Sequence, residues 1–235
     1  MDDLSPALAG IVTALVADPS PAGLAALADV ARLGPLLGAV AVDDRALPGL
    51  RGTTLPLVLV TTGGAAQVDG PLRLAGRLDL PVAGLRTTVR DPGDPAGAVR
   101  RVLAALDQAR AAGLLDDEVP VTLVLPAEVG EHGAGAALDE IAAAELHVGL
   151  TADDPAAWVR LVDAALDREV PVETVGAGAP PPLVVLAATR ACLDGEPSVA
   201  ERLLRAADAD AAGAAYDVAT LERTRRWCPR VDVRV

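Results

Sequence analysis

Residues 80–126 most constrain what this chain can become, because they read as a strand, a helix and a second strand in succession. Residues 80–90 alternate with period two, as a half-buried strand does. Asp91-Pro92-Gly93-Asp94-Pro95 then turns the chain, with Asp94 placed to cap a helix and Pro95 at its first position. Val99, Val102, Leu103, Leu106 and Ala109 recur at spacings of three and four, and Gly113 ends the run. Residues 119–126 form the next strand. A unit of this length is a βαβ crossover, right-handed with parallel strands.

The rest of the chain repeats the theme. Ser5-Pro6 and Ser20-Pro21 are cap-then-proline signals that predict helices over 6–17 and 21–33, although Ile11, Val12 and Thr13 also suit a strand. Strands are expected at 38–42, 55–61, 146–151 and 170–175, with a last edge strand at 231–235. Helices are expected near 66–78, 136–144 and 155–166, then at 183–193, 198–208 and 215–227. Alternation at this spacing predicts one α/β domain over 1–235, opened by helices within 1–34 and closed by a mostly helical segment over 183–235. A (β/α) barrel is favoured, incomplete because helices stand where its last strands should be. An open doubly wound parallel sheet is the alternative, weakened by the lack of a G-x-G-x-x-G after the first strand.

Composition removes several kinds of chemistry. All 20 basic residues are Arg, and the chain has no Lys or Asn, residue types with AT-rich codons that a GC-rich genome sheds. Without lysine there is no Schiff base and no Walker A motif, and no cofactor is implied. A net charge of −13 argues against nucleic acid and against anionic membrane surfaces. Cys192 and Cys228 with His132 and His147 are too few and too scattered for a metal site. The two cysteines also make a disulfide framework improbable, so a reducing cytoplasm is the expected compartment. The acidic Met1-Asp2-Asp3 does not resemble a signal peptide, and no apolar run reaches membrane-spanning length. With no Phe and two Ile, the core must be built from Ala, Leu and Val.

Three motifs carry a resemblance: Leu59-Val60-Thr61-Thr62-Gly63-Gly64-Ala65, Arg90-Asp91-Pro92-Gly93-Asp94-Pro95-Ala96, and Val119-Pro120-Val121 before Pro126. With the runs at 141–145 and 163–169, they resemble uncharacterised TIM-barrel-like proteins of GC-rich, actinobacterial-type bacteria over roughly residues 35–195. The resemblance implies a barrel with lysine, arginine and a paired histidine on its fifth and sixth strands. Here the matching stretches, 146–151 and 172–178, have lost the lysines and the histidine pair. The chain then reads as a divergent member without that chemistry.

Candidate site residues follow from the strand faces. Gly84, Arg86, Thr88 and Arg90 share one face, so Arg86 and Arg90 would point into or above a barrel interior and clamp a small carboxylate or phosphate. The bland alternative is a structural ion pair between Arg86 and Glu173. Glu173 interrupts an apolar strand and is the best candidate for a general base. Thr61, Thr62, Gly63 and Gly64, at a strand end, would offer backbone N–H groups to an anion, or simply turn the chain. His147 falls early in its strand, on the face where residues serve stability. The glycine-rich stretch 130–135 reads as a lid or a connector. Ser20 and Ser198 read as helix caps.

Two functions compete. In the first the chain has no surviving catalytic set and binds a small anion, a protein partner or itself, through an apolar patch on the helices after Pro182. In the second it is a lyase or isomerase on a small anionic substrate, with Glu173 as base and Arg86 and Arg90 as clamp. The second requires Arg86 and Glu173 to line an open pocket.

Overall fold

In the computed structural model, which describes residues 8–16, 31–126 and 128–234, eight parallel strands close into a barrel in chain order. They are β1 (Val12–Leu15), β2 (Leu37–Asp43), β3 (Leu57–Thr61), β4 (Val82–Thr88), β5 (Val121–Val124), β6 (His147–Leu150), β7 (Val172–Thr174) and β8 (Val231–Arg234). The favoured (β/α) barrel is therefore borne out over the open sheet, and it is complete, against the expectation of helices in place of its last strands. Two misreadings caused that expectation. Val12–Leu15 is a strand within the span 6–17 where a helix was expected, set by its β-branched residues; Ser5-Pro6 and residues 6, 7 and 17 lie outside the described residues, and Leu8 is helical. The tail is no edge strand either, since β8 pairs with both β7 and β1. Most of the helix expected over 21–33 lies outside the described residues, and Ala31–Leu36 is 3-10.

The helices are α1 (Asp69–Arg77), α2 (Pro95–Ala111), α3 (Glu131–Ala143), α4 (Pro155–Leu166), α5 (Pro182–Leu193), α6 (Pro197–Ala206), α7 (Ala209–Ala215) and α8 (Val218–Thr224). Helix α2 forms as its sequence predicts: Asp94 accepts from the Gly97 N–H at 2.9 Å, and Val99, Val102, Leu106 and Ala109 are buried. Asp154 caps α4 in the same way, accepting from the N–H groups of Ala156 and Ala157. Pro71 sits in the first turn of α1, where its missing N–H costs nothing. The stretch 130–135 is neither lid nor connector. Gly130 is the N-cap of α3, and a Cβ on Gly133 would stand 3.0 Å from Pro95, so glycine lets α3 approach α2 closely. Helices α5 to α8 all fall between β7 and β8.

One turn recurs where helices run into strands. After α1, α3 and α4 an exposed acid takes positive φ: Asp79 (54°), Glu145 (53°) and Glu169 (58°). The next residue, Leu80, Leu146 or Val170, is buried and donates back to the carbonyl of Ala75, Ile141 or Ala165, at 2.9 to 3.1 Å. Helix α2 makes the turn with Gly113, the usual residue for it.

Alternation along the strands splits the core in two. Val40, Val42, Leu57, Leu59, Leu85, Leu123 and Val148 face the helices in the main hydrophobic core. Ala39, Ala41 and Val58, with the less buried Leu15 and Val60, form a separate cluster inside the barrel. Trp158 of α4 locks the outer layer to β7, its Nε1 donating to Thr174 Oγ1 at 3.2 Å.

Candidate functional site

The barrel interior is where this chain departs from an apolar filling of branched side chains. Small residues on its inner face leave space along the axis. A Cβ on Gly84 would stand 2.7 Å from Arg230 Nη1, and one on Gly149 would stand 2.9 Å from Val124 Cγ2. Charged side chains fill that space. Arg86 reaches across from β4, and its Nη1 donates to both carboxylate oxygens of Asp232 on β8, at 3.0 and 2.9 Å. Its Nη2 donates to Glu173 Oε2 on β7 at 3.0 Å. The other oxygen of Glu173 lies 3.4 Å from His147 Nδ1 and 3.6 Å from Arg230 Nη1. Arg230 also donates to the Ala83 carbonyl at 2.9 Å, and Asp232 accepts from the Gly176 N–H at 2.8 Å. Two arginines thus face two acids, with one imidazole beside them.

The cluster is closed to solvent at its centre. Glu173 is fully buried and Arg86 is 3% exposed. Contact with water comes through His147, the first residue of β6, and Arg230, just before β8, both only partly buried. These positions are at the N-terminal ends of the strands, the face that serves stability in barrels of this kind.

Electrostatics separates the two acids. Burial pushes Glu173 up, but the His147 hydrogen bond and the charges of Arg86 and Arg230 overcome it and hold the carboxyl at about 2. Asp232 has Arg86 and the Gly176 N–H alone, and there burial wins and raises its pKa. Burial would lower Arg86, but its two carboxylates more than offset this. A carboxylate held at about 2 is a weak base. Arg86 and Glu173 therefore bury against each other instead of lining an open pocket.

The remaining sequence candidates do not join this cluster. Thr88 is half-buried at the end of β4, and Arg90 beyond it is exposed. Gly64 packs against them: a Cβ there would stand 3.4 Å from the Thr88 carbonyl and 3.5 Å from Arg90 Cγ. Its φ of 63° requires glycine. Thr61 is buried on the helix-facing side of β3, its hydroxyl unpartnered, while Thr62 is exposed. The Gly63 N–H, which an anion would need, is taken by Gln67 Oε1 at 2.6 Å. That side chain is in turn held by Asp44. The segment Thr61 to Gly64 is built as a turn.

Sequence reasoning missed Asp232 and Arg230. The only signal was alternation in Val231-Asp232-Val233, a pattern that an exposed edge strand shares. Among the described residues no three His, Cys, Asp or Glu side chains converge as a metal would need. No helix among them is long and apolar enough to cross a membrane. Clefts in the helical layer measure about 550 Å³ between α5 and α8, 520 Å³ between α1 and the end of α2, and 440 Å³ between α3 and α4. None of these three is lined by Arg86, Glu173 or Asp232. The apolar face expected to be open after Pro182 is covered: residues Leu183 to Thr189 of α5 are all buried, packed against α4, α6, α7 and α8.

No protein-family model matches this chain, and no curated protein sequence matches it. The stretches compared with the fifth and sixth strands of the TIM-barrel-like proteins are β6 and β7 here, because β1 shifts the count by one. The missing lysines are missing at any count.

Proposed function

We propose that this chain is a cytoplasmic barrel protein that works by binding a small anion or a protein partner, itself included, and not by catalysis. The observation that supports this is the pairing of Arg86 with both Glu173 and Asp232. The residues best suited to be clamp and base satisfy each other, and the cluster reaches water through the stability face. In the lyase or isomerase reading Glu173 would have to collect a proton, yet its carboxylate is already held by Arg86, His147 and Arg230. Both thiols are free and buried, in keeping with a reducing compartment.

Native mass spectrometry of the purified protein, before and after incubation with a small-metabolite extract, tests the reading. The expected result is a retained small anion or a homo-oligomer, with no metabolite consumed. Consumption of a small acid by the wild type but not by folded E173Q would overturn it.

A further inference from the structure

The segment before β8 is locally basic in an acidic chain. Arg223, Arg225, Arg226 and Arg230 fall within eight residues, with Glu222 the one acid at the run's immediate start and Asp217 and Asp232 flanking it. Two of these arginines, with Trp227, form one side of the cleft between α5 and α8, whose other lining residues are Arg190, Leu193 and Glu222. We propose that this cleft binds a small phosphorylated molecule bearing a flat heteroaromatic ring, the chemistry of a nucleoside monophosphate. The proposal rests on the binding reading above and gives it a site and a ligand class.

Each part of such a ligand meets a matching group. The cleft volume of about 550 Å³ lies in the range of small-molecule sites. Arg190 is engaged by Asp194, so it lends positive potential more than free donors. Arg223 and Arg226 are exposed and make no ion pair among the described residues. Arg223 spends one donor on Thr220 Oγ1 at 2.9 Å, which leaves most of its guanidinium for a phosphate. Arg226 lies 4.5 Å from the Trp227 ring centroid, so cation and indole already form a stacked pair. A flat ring extends such a stack at little entropic cost, because the platform is preorganised. The Trp227 carbonyl accepts from the Val172 N–H at 2.8 Å, and its own N–H donates to Thr224 at 2.9 Å, which ties the indole's backbone to β7 and α8. Glu222 supplies an acceptor for a sugar hydroxyl or an amino group. The acidic remainder of the surface repels anions, so this cleft is where one would settle.

Titration calorimetry and tryptophan emission of the full chain at low salt, with adenosine monophosphate and with inorganic phosphate alone, test the assignment. The nucleotide should bind and quench emission. Inorganic phosphate should bind at least about tenfold more weakly, without quenching. R223A and R226A should each weaken nucleotide binding by roughly ten- to a hundredfold, as loss of a charge-assisted hydrogen bond does. W227F should lose the quench, and the exposed-surface control R202A should change nothing. Absence of nucleotide binding at millimolar concentration would overturn the proposal, as would undiminished binding by the R223A/R226A double variant. Equal affinity for inorganic phosphate would overturn the ring-binding half. A ligand retained in native mass spectra by that double variant as firmly as by wild type would refute this site while leaving the binding reading intact.

Discussion

Arg86 and Asp232 stand 146 positions apart in sequence and meet inside the barrel, one guanidinium nitrogen bridging both carboxylate oxygens at 3.0 and 2.9 Å. Strands β4 and β8 lie on opposite sides of an eight-stranded barrel, so this contact spans the interior. It adds to the pairing of β8 with β1 along four residues, where β7 contributes a single register pair.

Removing Arg86 alone should cost far more than removing it together with its two acids. R86M leaves two buried carboxylates facing each other, and a loss of about 3–5 kcal/mol is expected in urea denaturation. The triple variant R86M/E173M/D232L takes both charges away with it and should recover most of that loss. A triple variant no more stable than R86M would show that the ion cluster contributes net stability beyond its own desolvation.

Acid should weaken the fold through Glu173. Its carboxyl is held at about 2 in the folded state against an ordinary value near 4.5. The stabilisation is therefore complete above the ordinary value and is lost as pH falls from about 4.5 toward 2. Asp232 works in the opposite sense, because its raised pKa adds stability below the ordinary value and loses it as pH rises. Denaturation of wild type and E173Q across this window should give a steep acid limb for wild type. E173Q should be less stable at pH 7 and flatter in acid. Parallel limbs would assign the acid loss to other groups.

The two interior glycines should differ in their tolerance of a methyl group. G149A drives a Cβ into Val124, Thr122 and Val175, whose branched side chains have little freedom, and should cost about 1–3 kcal/mol. G84A meets Val58 Cγ2 and the end of the Arg230 side chain, which can give way only by loosening its bond to the Ala83 carbonyl, and should cost less than G149A. Thermal melts of the two variants make the comparison.

The acidic residues at positive φ are sites for stabilisation. D79G, E145G and E169G each replace a strained left-handed conformation with one that glycine adopts freely, and each should gain up to about 1 kcal/mol. Denaturant midpoints of the three variants would show it.

Both thiols should be silent in the native protein. Burial raises Cys192 and Cys228 to about 12. A disulfide reagent at pH 8 should therefore label neither until urea unfolds the chain. Rapid labelling of either in the native state would contradict their burial.

Local pattern determined much of this molecule. Helix α2 with its Asp94 cap, the flanking β4 and β5, and the α/β class were all legible, because helical and strand periodicities and proline-cap signals act over a few residues. So were the candidates Arg86 and Glu173, as charges interrupting apolar strands. Tertiary structure decided the rest. Val12–Leu15 has too little pattern to declare itself, and Val231–Arg234 shows its alternation but not that it closes the barrel; each is fixed by hydrogen bonds to neighbours distant in the chain. Closure brought Asp232 to Arg86 and Arg230 and His147 to Glu173. It thereby turned two residues with the look of a clamp and a base into a buried ion cluster. Which partner neutralises a buried charge depends on which strands lie side by side or face to face, and that is settled only when the barrel closes.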